Sequence, residues 1–153
     1  MKRRALLLAL PSLPALAHHG WSSFDLTQPL FLAGTAADVR WTNPHVELNL
    51  VRDARAPLPG DLAQRPLPAQ SAPVEGAALL AKARLPRRAD ASWAVELAPL
   101  TRMKAWSVPE IQNGQRLELL GFSFIDEAGS AILRAEYLWL DGRCFGLRSS
   151  PLG

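Results

Sequence analysis

The sequence predicts a mainly β protein: a small five-stranded OB-like barrel, with one short helix between strands three and four and a long irregular insertion between strands two and three. Two observations set the order of elements. Five stretches read as strands by period-two alternation, and one stretch, "PLTRMKAW", repeats Leu100, Met103 and Trp106 at helical spacing between the third and fourth of them. A third observation is Gly34, inside the first strand, where a bulge or sharp bend is the usual reason for a glycine. Three strands, a helix and two strands, with a bend in the first, is the order of an OB-type barrel.

The chain opens on a segment that does not read as part of this fold. Lys2, Arg3 and Arg4 form a basic n-region, Ala5 to Leu10 are apolar, and Ala15-Leu16-Ala17 has the small-x-small pattern of a signal-peptidase site. Residues 1–17 are therefore expected to be a secretory signal cleaved after Ala17. Residues 18–153 then form one domain in the periplasm. The apolar run is far short of the roughly 20 residues that span a bilayer, and Pro11 and Pro14 interrupt it, so no stable membrane span is expected. Cleavage also changes the charge. The 17 basic and 14 acidic residues of the whole chain become 14 against 14 once Lys2, Arg3 and Arg4 are lost. A nucleic-acid binder keeps a basic surface on its folded domain, so no nucleic-acid partner is expected.

Strand one runs from Leu30 to Trp41, with Thr35, Ala37, Val39 and Trp41 expected inward and Ala36, Asp38 and Arg40 outward. Asn43-Pro44 makes the turn. Strand two, His45 to Arg52, puts Val46, Leu48 and Leu50 on one face and His45, Glu47 and Asn49 on the other. Residues 53–91 are rich in proline, alanine and glycine without apolar periodicity, and read as a surface excursion with a short helix near Ala77 to Leu85. Strand three, "SWAVELA", turns Trp93, Val95 and Leu97 inward. Strand four, "QRLELLGFSFID", changes phase between Leu119 and Leu120, which predicts a bulge near Leu119–Gly121. "DEAGS" is a hairpin turn, Ala131 to Leu140 is strand five, and "DGRCF" leads into a short terminal extension.

"AGTAADVRWTNPHVELNL", preceded by a histidine pair after the signal and followed by "WAVEL", resembles domain-of-unknown-function family 6152, exported bacterial proteins with no established activity. The likeness extends over most of residues 18–52 and 92–143. Its most specific pieces are His18-His19 and Trp41 to His45. The resemblance implies an exported domain and its shape but no reaction. Residues 53–91 depart from the family, whose connection between strands two and three is much shorter.

No G-x-S-x-G, C-x-x-C, H-E-x-x-H or glycine-rich phosphate loop occurs, so an enzyme is not expected. Glu118 and Glu136 read as solvated cross-strand partners. Cys144, the one cysteine, reads as a buried small hydrophobe beside Phe145, with a reactive thiol as the other possibility. The histidines carry the sharpest hypothesis. Cleavage after Ala17 makes His18 the N-terminus, where its α-amine and imidazole close one chelate ring. His45, at a turn and on the polar face, supplies another imidazole, and His19 is a further ligand through the intervening amide. Nitrogen ligation in tetragonal geometry suits copper(II). The alternative is a metal-free periplasmic module that binds a protein or glycan partner across strands two and three.

Overall fold

The computed structural model describes residues 20–153. The proposed signal and His18 and His19 lie outside the described residues. The strands are β1 (Leu30–Arg40), β2 (Glu47–Arg52), β3 (Ser92–Glu96), β4 (Arg116–Phe122), β5 (Ile132–Leu140) and β6 (Arg143–Gly146). Helix α1 (Gly76–Lys82) lies in the insertion, and α2 (Leu100–Ala105) lies between β3 and β4. Antiparallel pairs join β1 to β2 and β4, β2 to β3, and β4 to β5. A parallel pairing of β3 with β5 then closes the ring. The barrel is mainly β, five-stranded and mixed, in the order the sequence predicts.

Its interior follows the alternation of the strands. Leu48, Leu50, Trp93, Val95, Leu97, Leu117, Leu119, Leu133 and Leu138 form one buried cluster, capped by Met103 and Trp106 from α2 and the turn after it. Trp93 is wholly buried. In β1 the phase differs from the prediction. Leu30, Leu32 and Ala36 enter the cluster, whereas Thr35 and Ala37 are half-exposed. The register against β2 slips between Ala37 and Arg40, with Asp38 at φ 48°. Val39 and Trp41 therefore pack against the core although Ala37 does not. Gly34 marks a close approach: a Cβ there would lie 2.2 Å from the Val51 carbonyl oxygen.

The phase change read into β4 has a different origin from the one expected. Leu117, Leu119 and Gly121 alternate regularly against Leu120 and Phe122, and both sets are buried. A strand covered on both faces reads as a continuous apolar run. The register shift does fall at Leu120/Gly121, but the extra residue is Glu136 of β5: Leu120 pairs with Tyr137 and Gly121 with Ala135. After β5, Asp141 and Gly142 take positive φ, the two-residue turn that Asp-Gly favours in hairpins. The expected extension is thus a sixth strand, β6, paired with β5 from Leu140↔Arg143 to Tyr137↔Gly146.

Residues 53–91 are not a bare surface excursion. They form an arm that lies over the outer face of β1, β4 and β5. Leu62, Leu80 and Ala83 of the arm bury against Phe31, Ala33, Leu120 and Tyr137. Arg65 sits over the rings of Phe31 and Trp139 and pairs with Glu118 at 2.5 Å. Backbone hydrogen bonds fasten the arm along its length, from Asp53 N to Ala33 O at its start, from Ser71 N to Ser150 O at its middle and from Phe31 N to Arg84 O toward its end. The segment lacks periodicity because it contributes isolated anchors, not a repeating face.

Candidate functional site

His45 ends the turn before β2 and is half-buried. Its neighbour Val46 enters the barrel and exchanges backbone hydrogen bonds with Leu97 and Ala98, which fixes the histidine on the outer side. There the Arg134 guanidinium points at it, with Nη2 3.5 Å from His45 Nε2. Arg134 is itself buried and pairs with Glu96 at 3.0 Å, across the parallel β3–β5 contact that brings residues 96 and 134 into register.

The N-terminal segment crosses the same place. A single 3₁₀ turn, Trp21–Ser23, lays the Trp21 ring 5.0 Å from the guanidinium carbon of Arg134 and 3.7 Å from that of Arg148. Phe24 then stacks on Phe124, and Asp25 N donates to Ser123 O, which holds the segment against the end of β4. Two guanidiniums thus lie over the Trp21 ring, where a cation meets the negative face of the π-system.

Beyond Arg148 lies Glu136, the bulged residue of β5. Its carboxylate has no solvent exposure and accepts from Arg148 Nε at 2.9 Å and from Gln70 at 3.4 Å. Burial raises its pKa above the ordinary carboxylate value, and the guanidinium of Arg148 only partly offsets this. Arg102 of α2 donates to Leu147 O, and burial together with nearby Arg134 lowers its pKa. Three arginines and two carboxylates therefore share one buried flank of the barrel. The reading of Glu136 as a solvated partner is overturned by its burial. Glu118 is half-buried and tied to Arg65.

Of the three candidate ligands, only His45 lies among the described residues. Among those residues no three His, Cys, Asp or Glu side chains are grouped to hold a metal ion. Sequence reasoning missed Arg134, Glu96 and Glu136. Arg134 and Glu136 stand at alternate positions of a strand, the ordinary sign of a solvated face, and only the arm and the N-terminal turn make that face dry. Cys144 packs partly buried beside the outer cluster, and burial pushes its thiol up to about 12. It packs as a small hydrophobe, partly buried where the sequence reading expects full burial, and the raised thiol holds little of the reactive thiolate form.

Among the described residues no helix is long and apolar enough to cross a membrane. No curated protein and no solved structure gives a significant match to the chain. A family model does match, over roughly a third of the 153 residues, so the likeness read into residues 92–143 lies beyond the matched stretch. Residues 6–57 match the Family of unknown function (DUF6152), the family the sequence resembles.

Proposed function

We propose that this chain is an exported, periplasmic, non-enzymatic β-barrel protein that binds one copper(II) ion through the amine and imidazole of His18 and the imidazole of His45, with His19 contributing through the amide between the pair. The observation that supports this reading is the position of Trp21. Its ring covers Arg134, whose guanidinium reaches His45. Only two residues separate Trp21 from His18, three steps of the chain and a reach of roughly 10–11 Å. That short reach, starting from a ring beside the partner of His45, supports a site shared by His18 and His45. Arg134 Nη2 lies 3.5 Å from His45 Nε2, so copper binds at that nitrogen only as the guanidinium moves aside.

The test uses the mature chain beginning at His18, its start checked by intact mass. It should bind one copper(II) with a nitrogen-dominated type-2 paramagnetic spectrum. An added alanine before His18 and His45→Ala should each weaken binding by tenfold or more. Affinity should also fall below about pH 6, as imidazoles with a reference pKa of about 6.5 take up protons and compete with the metal. If the extension and His45→Ala both leave the affinity unchanged, the reading is wrong.

One observation favours a second reading, a metal-free module for a periplasmic protein or glycan. The arm covers β1, β4 and β5 but leaves the outer side of β2 and β3 bare, with Val51 half exposed and Ser92 and Ala94 open to solvent. That is the side on which OB-type barrels bind extended partners. Val51→Glu should then abolish capture of a partner while leaving copper binding intact.

A further inference from the structure

A cavity of about 240 Å³ opens between the N-terminal turn and the loop that follows α1. Ser123, just past β4, lines it and is 3% exposed, yet its hydroxyl has no hydrogen-bond partner among the described residues. Buried hydroxyls normally have one. The two sides of the cavity differ in charge. On one side, Glu127 is fully engaged: Oε1 accepts from Arg84 Nη1 at 2.6 Å, and Oε2 accepts from the backbone N–H groups of Arg87 and Arg88 at 3.0 and 3.3 Å. These bonds hold Asp126 and Glu127 at positive φ, which is strained for such residues. The Arg87 guanidinium, by contrast, comes no closer than 3.6 Å to Glu127 and 3.7 Å to Asp126, too far for hydrogen bonds. Its five donors remain for an incoming anion.

On the other side, Asp25 Oδ1 accepts from Thr27 N at 3.0 Å and Thr27 Oγ1 at 2.6 Å, and Oδ2 has no hydrogen-bond partner among the described residues. The cavity therefore offers a guanidinium suited to a carboxylate, a carboxylate oxygen suited to an ammonium group, and a buried hydroxyl that can serve either. A bare phosphate would set its charge against Asp25 and Asp126, and a bare metal cation would meet Arg84 and Arg87. The volume is below the ~300–1,000 Å³ of pockets for drug-sized ligands. We propose that this cavity binds a small zwitterion, a free α-amino acid, with its carboxylate on Arg87 and its ammonium on Asp25 and Ser123.

The experiment is calorimetric titration of the purified full domain, in EDTA to exclude metal–amino-acid complexes. The probes are the twenty free L-amino acids, with acetate and methylammonium chloride as half-ligands. At least one amino acid should bind tenfold or more tightly than either half-ligand. Arg87→Ala and Asp25→Asn should each weaken it tenfold or more, and Ser123→Ala about threefold, with unchanged circular dichroism. Arg87 is two-thirds exposed, so its truncation leaves the fold intact and keeps the test decisive. His45→Ala should have no effect, which separates this site from the copper reading. Absence of binding by every amino acid, half-ligands as tight as the whole, or full affinity in Arg87→Ala would each leave a water-filled cavity and overturn the proposal.

Discussion

Leu119 and Leu120 are neighbours on β4, neither touches solvent, and they belong to different cores. Leu119 points into the barrel, where every wall is a strand. Leu120 points outward, where the cover is a proline-rich arm. The inner core is made by alternation repeated on five strands, and β2 and β3 announce their share of it directly. The outer core is made when a non-periodic segment places Leu62, Leu80 and Ala83 over Phe31 and Tyr137. Equal burial thus arises by two routes, and only one leaves a regular mark on the sequence.

The largest effect should come from the inner core. Trp93 is wholly buried, and its indole N–H has no hydrogen-bond partner among the described residues, so truncation removes packing and leaves no new polar orphan. Trp93→Ala should cost about 3–5 kcal/mol in urea melts. A loss under about 1 kcal/mol would mean that the barrel interior is not the main store of stability.

The outer core should come next. Leu62 is 2% exposed, but it sits in a single 3₁₀ turn of the non-periodic arm, whose backbone can settle into the gap against the strands. Leu62→Ala should cost about 2–3 kcal/mol, near the low end for such changes. Deleting Pro57 to Pro73 should cost at least as much, since it also removes Arg65 and buried Gln70. A surface excursion would give no change in either experiment, and that result would restore the first reading of this segment.

The parts legible in the sequence are those where one residue type recurs on one face. Trp93, Val95 and Leu97 gave β3 its facing, and Leu100, Met103 and Trp106 gave α2 its position. Gly34, read as a bulge or bend, instead meets a tight approach of β1 to β2, and the register slip of β1 lies between Ala37 and Arg40. Illegible were the places where a distant segment changes an environment. Glu136 and Arg134 look solvated until the arm and Trp21 cover them, and Ala36 looks outward until the slip at Asp38 is known. Of the candidate site, the sequence named His45, but its cationic neighbour comes from the β3–β5 pairing, 89 positions away.

The two carboxylates buried beneath these coverings should respond to acid in opposite directions. Burial pushes Glu127 up, but hydrogen bonds from Arg84, Arg88 and Arg87 outweigh it, and the net pKa lies below the ordinary value. Its contribution is present above the unfolded pKa and is lost as pH falls through the folded one. Burial leaves Glu136 above the ordinary value, so its contribution is present below the unfolded pKa and is lost as pH rises through the folded one. Between pH 6 and 3, Glu127→Gln should therefore flatten the acid loss of stability, and Glu136→Gln should steepen it. Each is an effect of about 1–2 kcal/mol, from charged hydrogen bonds in a dry setting. Urea midpoints across that pH range check the sign, and the reverse order would break the assignment.

The smallest effect on stability should come from Cys144, and it offers the finest test of whether the two cores open together. Cys144 packs beside the outer cluster, and with its thiol pushed up to about 12 it presents almost no thiolate at neutral pH. Iodoacetamide should therefore modify it only when the arm lifts and the thiol returns to an ordinary pKa of about 8.5. The arm is fastened by scattered loop hydrogen bonds, whereas the inner core sits inside a closed ladder, and regions of the first kind open at lower free energy. Labelling of the native protein should then be accelerated more by Leu62→Ala than by Trp93→Ala, even though Trp93→Ala costs more global stability. Cys144→Ala itself should shift the urea midpoint by less than about 1 kcal/mol, because only a small side chain is lost from a partly exposed position. Equal acceleration by both core variants would mean that the arm never leaves without the barrel. In that case the outer face would be as integral to the fold as the alternating strands beneath it.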